Sequence, residues 1–211
     1  SRPVSEKSIQ SLLEAADILA ILASETDDMP ERSMLVHLRN RALLRMLHLG
    51  LRVGEVIGLC RHDLDAYQRT VEMTGKGGLR RTLLIDDGTW AAIQEYLIAR
   101  DKANHGGEES EPLFARHDRQ PVDRVLPIGS TNSVRFAFKQ VASWADTEDH
   151  ITPKHLRQFT AMIVLEAADD LDSLWESLDY TTPETRDIRA YLDDSNPDAN
   201  SPVDRPGRPG V

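Results

Sequence analysis

The sequence predicts a mainly α-helical domain with a small antiparallel β-hairpin or sheet, and three observations predict it. Apolar residues recur at helical spacing over most of the chain, the period falls toward two only between Leu64 and Ile85, and Gly75-Lys76-Gly77-Gly78 divides that stretch. With 211 residues, 40% of them hydrophobic, the chain is long enough to bury a sizeable core.

Each element has its own signal. Ser5 or Ser8 can cap a first helix in which Ile9, Leu12, Leu13, Ala16, Leu19 and Ile21 keep helical spacing as far as Ser24. A second helix, from about Glu31 to Leu49, carries Met34, Leu35, Leu38, Leu43, Leu44 and Leu47. The strand pair follows, as Thr70–Thr74 and Arg80–Ile85. A helix from Gly88 to about Lys102 holds Trp90, Ile93, Tyr96 and Leu97, and the proline-rich stretch from Glu111 to Gly129 reads as an irregular connection.

Ser130 or Thr131 opens another helix with Val134, Phe136, Phe138, Val141 and Trp144, whose aromatics are expected in the core rather than in a base-stacking platform. Thr152-Pro153 starts a helix with Lys154, His155 and Arg157 in its first turns and an apolar body from Phe159 to Leu165. Shorter helical pieces are expected around Leu171–Leu178 and Pro183–Leu192. Residues 1–192 then form one domain, and the proline- and glycine-rich residues 193–211 a disordered tail.

The stretch that points to chemistry is Leu49-Gly50-Leu51-Arg52-Val53-Gly54-Glu55, where one apolar helix turns into the next. Burying a guanidinium at such a corner is costly unless an acid or a bound anion compensates it. Glu55, three residues on, can orient Arg52 without occupying all five donors. Two readings follow from the stretch alone: a phosphate clamp, or a structural Arg–Glu pair at a helix junction.

Composition bears on both. Thirty-five acids against twenty-five Lys and Arg give a net charge of −10, the opposite of the basic footprint usual in DNA-binding domains. Either the protein binds no nucleic acid, or its acids lie away from a locally basic groove. Runs such as Glu25-Thr26-Asp27-Asp28, Glu108-Glu109-Ser110-Glu111 and Asp169-Asp170-Leu171-Asp172 fall at expected turns and read as solvated surface. An acidic, lysine-poor surface also suits a high-salt, halophilic cytoplasm.

The single cysteine, Cys60, excludes an internal disulfide, argues against a cysteine-based zinc site and fits a reducing compartment. No stretch is apolar enough to span a bilayer and no signal peptide precedes the first helix, so the expected location is cytoplasmic, with no membrane partner. The start at Ser1-Arg2-Pro3 suggests that a preceding part is missing.

Taken together, an arginine in a G-L-R-x-G-E corner, a lysine in a G-K-G-G turn, a T-P-x-x-L-R helix start and a late tyrosine resemble the catalytic domain of tyrosine recombinases, the phage-integrase family. The resemblance runs from about Ser5 to Leu192. It implies site-specific DNA recombination or integration in which a tyrosine hydroxyl attacks a phosphodiester, leaving a 3′-phosphotyrosyl link and a free 5′-hydroxyl. No metal, ATP or other cofactor is implied. Two arginines in fork geometry would stabilise charge on the non-bridging oxygens, and these are Arg52 and Arg157. Lys76 would protonate the leaving oxygen.

The chain departs from the family pattern twice. Lys154 stands where most members have histidine, with His155 one residue later; the K-x-x-R form resembles integrases of archaeal viruses and suggests a viral or proviral source. A lysine there is a permanent cation, better as phosphate contact than as base, and His155, about 100° round the helix, reads as structural. Tyr180 occupies the place of a family histidine or tryptophan, which leaves Tyr191 as expected nucleophile. The implied partner is double-stranded DNA, bound by a homotetramer, with the isolated domain expected to be monomeric. The alternatives are a catalytically decayed DNA-binding protein on the same fold and a helical interaction protein with no DNA role.

Overall fold

The computed structural model describes residues 4–74, 80–103, 107–117 and 125–166. The chain clusters into two units, Ser1–Ala161 and Met162–Val211, the second described only over residues 162–166. The expected helices at 171–178 and 183–192, the expected tail, the turn at 75–79 and the acidic run at 169–172 lie outside the described residues.

Among the described residues six α-helices and three short strands are formed: α1 (Glu6–Glu25), α2 (Glu31–His48), α3 (Val53–Gly58), β1 (Leu64–Asp65), β2 (Thr70–Thr74), β3 (Arg80–Leu84), α4 (Asp87–Lys102), α5 (Thr131–Ala142) and α6 (Pro153–Glu166). The fold is therefore mainly helical with a small antiparallel sheet, as the periodicity predicts. Ser5, of the two candidate serines, caps α1: its Oγ accepts the Ser8 N–H at 3.2 Å. Asp86 caps α4 in the same way, its Oδ1 accepting from the Thr89 N–H at 2.9 Å.

Helix α2 is the centre of the larger unit, packed against α1 on one side and α4 on the other. Leu38, Leu43, Leu44, Met46 and Leu47 of α2 meet Ile9, Leu12 and Ala16 of α1, Ile93 and Tyr96 of α4 and Phe138 of α5 in one apolar core. Polar groups anchor its flanks. Arg45 pairs with Asp17 of α1 at 2.5 Å and Arg41 with Glu95 of α4. The buried Arg100 guanidinium donates to the carbonyls of Pro112 and Leu113 and to Glu111, and Arg39 donates to the Ala115 carbonyl, so the connection after α4 is pinned to the helices.

Three expectations are corrected. The sheet has a third strand, β1, paired with β2 as Leu64↔Val71 and Asp65↔Thr70, because Asp65 accepts from the Tyr67 and Gln68 N–H groups and reverses the chain at once. Phe136 and Trp144 are exposed rather than core: the buried stripe of α5 is Val134, Ala137, Phe138 and Val141, and Phe136 lies about 200° from Val134. Trp144 comes after the helix has ended. Ile21 is likewise exposed with Ile18 and Leu22, since small residues, Ala16, Ala20 and Ala23, make the close approach of α1 to its neighbours. The acids at 25–28 and Glu108 and Glu109 are on the surface, as expected, but Glu111 of the second run is half-buried, because it pairs with the buried Arg100.

Candidate active site

Helix α2 stops at Gly50 because the chain there adopts φ +98°, a left-handed conformation that glycine adopts without the Cβ penalty of other residues. Leu51 is then buried as a plug, and Arg52 becomes the N-cap residue of α3. Its cap is unusual. The Glu55 carboxylate reaches back so that Oε2 accepts the Arg52 backbone N–H at 2.7 Å, while Oε1 stands 3.6 Å from Arg52 Nη1. The same Oε2 also accepts from Arg81 Nη2 on β3 at 2.7 Å. The Glu55 side chain is 6% exposed, Arg81 11% and Arg52 22%, so one nearly buried carboxylate serves two guanidiniums of which Arg52 is the more open to solvent.

Arg157 arrives on α6. Thr152 and Pro153 start that helix as predicted, with the Thr152 carbonyl accepting from the His155 N–H at 2.9 Å. Helix α6 docks on the Arg52 corner through specific contacts: the Thr160 hydroxyl donates to the His48 carbonyl, and the Phe159 ring stacks on His48 with centroids 6.1 Å apart. A Cβ on Gly50 would lie 3.9 Å from Thr160 Cγ2. Arg157 sits one turn before Thr160 on the same face and is 6% exposed, whereas Lys154 is exposed.

The remaining candidates divide clearly. His155 turns back on the start of its own helix: its Nδ1 accepts the Thr152 N–H at 3.3 Å, and burial above all keeps its pKa below the ordinary imidazole value. Lys76, Tyr180 and Tyr191 lie outside the described residues. Sequence reasoning missed Arg81 and Thr160. Arg81 had a signal, because in a strand of period two it shares a face with Leu83, which packs on the core; Thr160 had none.

Among the described residues Cys60, His62 and Asp63 bring a sulfur, a ring nitrogen and a carboxylate oxygen within 4.8 Å of one another. Ordinary turn bonds account for the grouping: Asp63 Oδ2 accepts the Cys60 N–H at 2.7 Å and His62 Nδ1 lies 3.0 Å from the Glu109 carbonyl. Burial, with Asp63 beside it, pushes the Cys60 thiol up.

The six helices and three-stranded sheet of the described residues have the fold of solved tyrosine recombinases. Over 95% of the chain, this fold matches the crystal structure of XerA recombinase (TM-score 0.66, 20% identity, 66% of that chain). It also matches XerH site-specific recombinase bound to a palindromic difH substrate (TM-score 0.62, 19% identity, 95% of this chain and 52% of that one).

Residues 4–196 match the phage integrase family model, and the chain belongs to that family. Its relatives include the tyrosine recombinase XerC of Rhodospirillum centenum, 32% identical over 81% of this chain and 47% of that protein. The XerC of Escherichia coli is 31% identical over 74% of this chain and 49% of that protein. The chain thus spans about half the length of these relatives.

Proposed function

We propose that the chain is the catalytic part of a tyrosine-type site-specific recombinase that cuts and rejoins double-stranded DNA. The observation that supports this reading is the docking of α6, the helix that carries Arg157, on the end of α2 through Thr160 and Phe159, next to the turn that leads into Arg52. Two cations so held suit a scissile phosphate whose non-bridging oxygens gain charge as the phosphorus becomes pentacoordinate.

In this reading the Tyr191 hydroxyl attacks phosphorus, forms a 3′-phosphotyrosyl bond and expels the 5′-oxygen, which takes a proton from Lys76. Arg52 and Arg157 hold the phosphate. Lys154, exposed at the start of α6, contacts it as a fixed cation. Tyr180, in the place of a family histidine or tryptophan, is the second candidate for the nucleophile. The reverse reaction, attack of a 5′-hydroxyl from a partner strand, completes exchange without external energy, metal or cofactor. Residues 1–192 act as the catalytic domain and 193–211 as a tail. A homotetramer on two duplexes, in the cytoplasm of a host cell, is the working assembly. Integration of viral or proviral DNA is the proposed setting, supported by the Lys154-x-x-Arg157 start.

The test is incubation of the full-length protein with a nicked suicide duplex of its own recombination site. A covalent protein–DNA adduct that Tyr191→Phe abolishes is expected. An adduct retained by Tyr191→Phe and lost in Tyr180→Phe would move the nucleophile to Tyr180. Salt-dependent DNA binding without any adduct would instead make the protein a decayed binder.

A further inference from the structure

We infer that Arg81 is a positioning residue for the site: through Glu55 it fixes Arg52 and ties the base of the hairpin to the arginine corner. The inference rests on the recombinase reading above. Arg81 pairs with Met73 across the sheet, one position in from the Thr74↔Arg80 pair that closes the 75–79 connection. Its side chain leaves the strand on the face that Leu83 packs into the core and meets Glu55 Oε2 at 2.7 Å.

That oxygen is also the acceptor of the Arg52 N–H. Glu55 therefore cannot rotate toward Arg81 or away from it without releasing the N-cap of α3, the residue whose guanidinium its other oxygen faces at 3.6 Å. A buried carboxylate shared between a backbone N–H and a guanidinium from a distant strand has one geometry. Arg81 selects it. Its effect on catalysis runs through Glu55 to Arg52.

The consequence is a loss of rate without loss of binding. Arg81→Met in the full-length protein is expected to slow single-turnover adduct formation on the nicked duplex by about 100-fold, the scale of a misplacement of about 1 Å. DNA affinity is expected to stay within twofold. Arg81→Lys, which keeps one donor within reach of Glu55, recovers part of the rate. Glu55→Gln combined with Arg81→Met is no slower than the worse single variant, because both act on one geometry. A bridging 5′-phosphorothiolate, whose thiolate leaves unprotonated, does not rescue Arg81→Met, which places the defect at Arg52 rather than at the leaving-group proton.

Circular dichroism and thermal melting establish that each variant is folded. If Arg81→Met fails to fold, Arg81→Lys takes its place, and either a wild-type rate in that folded variant or a slowing that multiplies in full with that of Glu55→Gln overturns the inference. In folded Arg81→Met, an unchanged rate, or a loss seen wholly in DNA affinity, overturns it while leaving the recombinase reading intact. Failure of the wild type to form any adduct overturns both.

Discussion

Replacing Gly50 by alanine is expected to destabilise the fold by about 1–2 kcal/mol, and replacing Gly54, four residues later in the same signature, to stabilise it by about 0.4–1 kcal/mol. The two signs come from different features of the structure. At Gly50 a Cβ would meet only Thr160 Cγ2, at an ordinary contact distance of 3.9 Å, so packing contributes little. The cost is the backbone, held at φ +98°, where an L residue is strained. At Gly54 no heavy atom lies within 4 Å of the added Cβ and the residue is inside α3, so alanine only lowers the entropy lost on folding.

Urea unfolding reads both values as changes in midpoint at constant slope. Thermal midpoints should move by about 2–4 °C per kcal/mol, in opposite directions. Gly50→Asn is expected to lie between wild type and alanine, since asparagine tolerates the left-handed region better. A Gly50→Ala protein as stable as wild type would refute the argument, because it would mean that the helix does not end by this turn. A destabilised Gly54→Ala would refute the open environment assigned to α3.

Three further outcomes follow from the same structure. Glu55→Ala should cost about 2–4 kcal/mol, near the low end for removing one partner from a buried pair, because Arg52 at 22% exposure can recover some hydration; a chemical denaturation change below about 0.5 kcal/mol, the range of ordinary surface substitutions, would refute it. Thr160→Val should lower stability by about 0.5–1.5 kcal/mol through the hydroxyl lost from the His48 carbonyl, and unchanged denaturation would refute the docking of α6 on the corner.

Acidification should weaken the fold from pH 6.5 downward. Burial first holds His48 and His37 below their ordinary pKa of 6.5, so the unfolded chain binds more protons there. Their contribution is complete above pH 6.5 and is lost as the pH falls from 6.5 toward their lower folded values. The lowered carboxyl of Asp101, hydrogen-bonded by Arg61, acts only below its ordinary 3.8. His48→Gln should flatten the upper of these two windows in a pH series of thermal melts, and an unaltered profile would refute the assignment.

Much of this architecture is legible in the residues. Ser5 before an apolar stripe, Thr152-Pro153 before another and the change of period at Leu64 specify where elements begin, because capping and periodicity are local properties. Where the reading fails, the cause is a neighbour the pattern does not contain. Phe136 sits within a helix of the right spacing but two residues from the core stripe, and β1 is too short to carry a period. The choice between a clamp and a structural Arg–Glu pair at Arg52 was open in the sequence for the same reason: Arg81 is twenty-six residues from Glu55 and completes the pair from another element.

By itself, then, the amino-acid order determines the helix starts, the turn at Gly50 and the residue types able to grip a phosphate, since each depends on interactions within a few residues. Tertiary structure alone decides how those residues meet. Glu55 divides its carboxylate between Arg52 and Arg81, and Thr160 seats α6 on the carbonyl of His48, contacts spanning 26 and 112 positions of chain. Such contacts leave no periodic trace, because hydrogen bonds between distant side chains depend on packing that brings two surfaces together rather than on the spacing within either one.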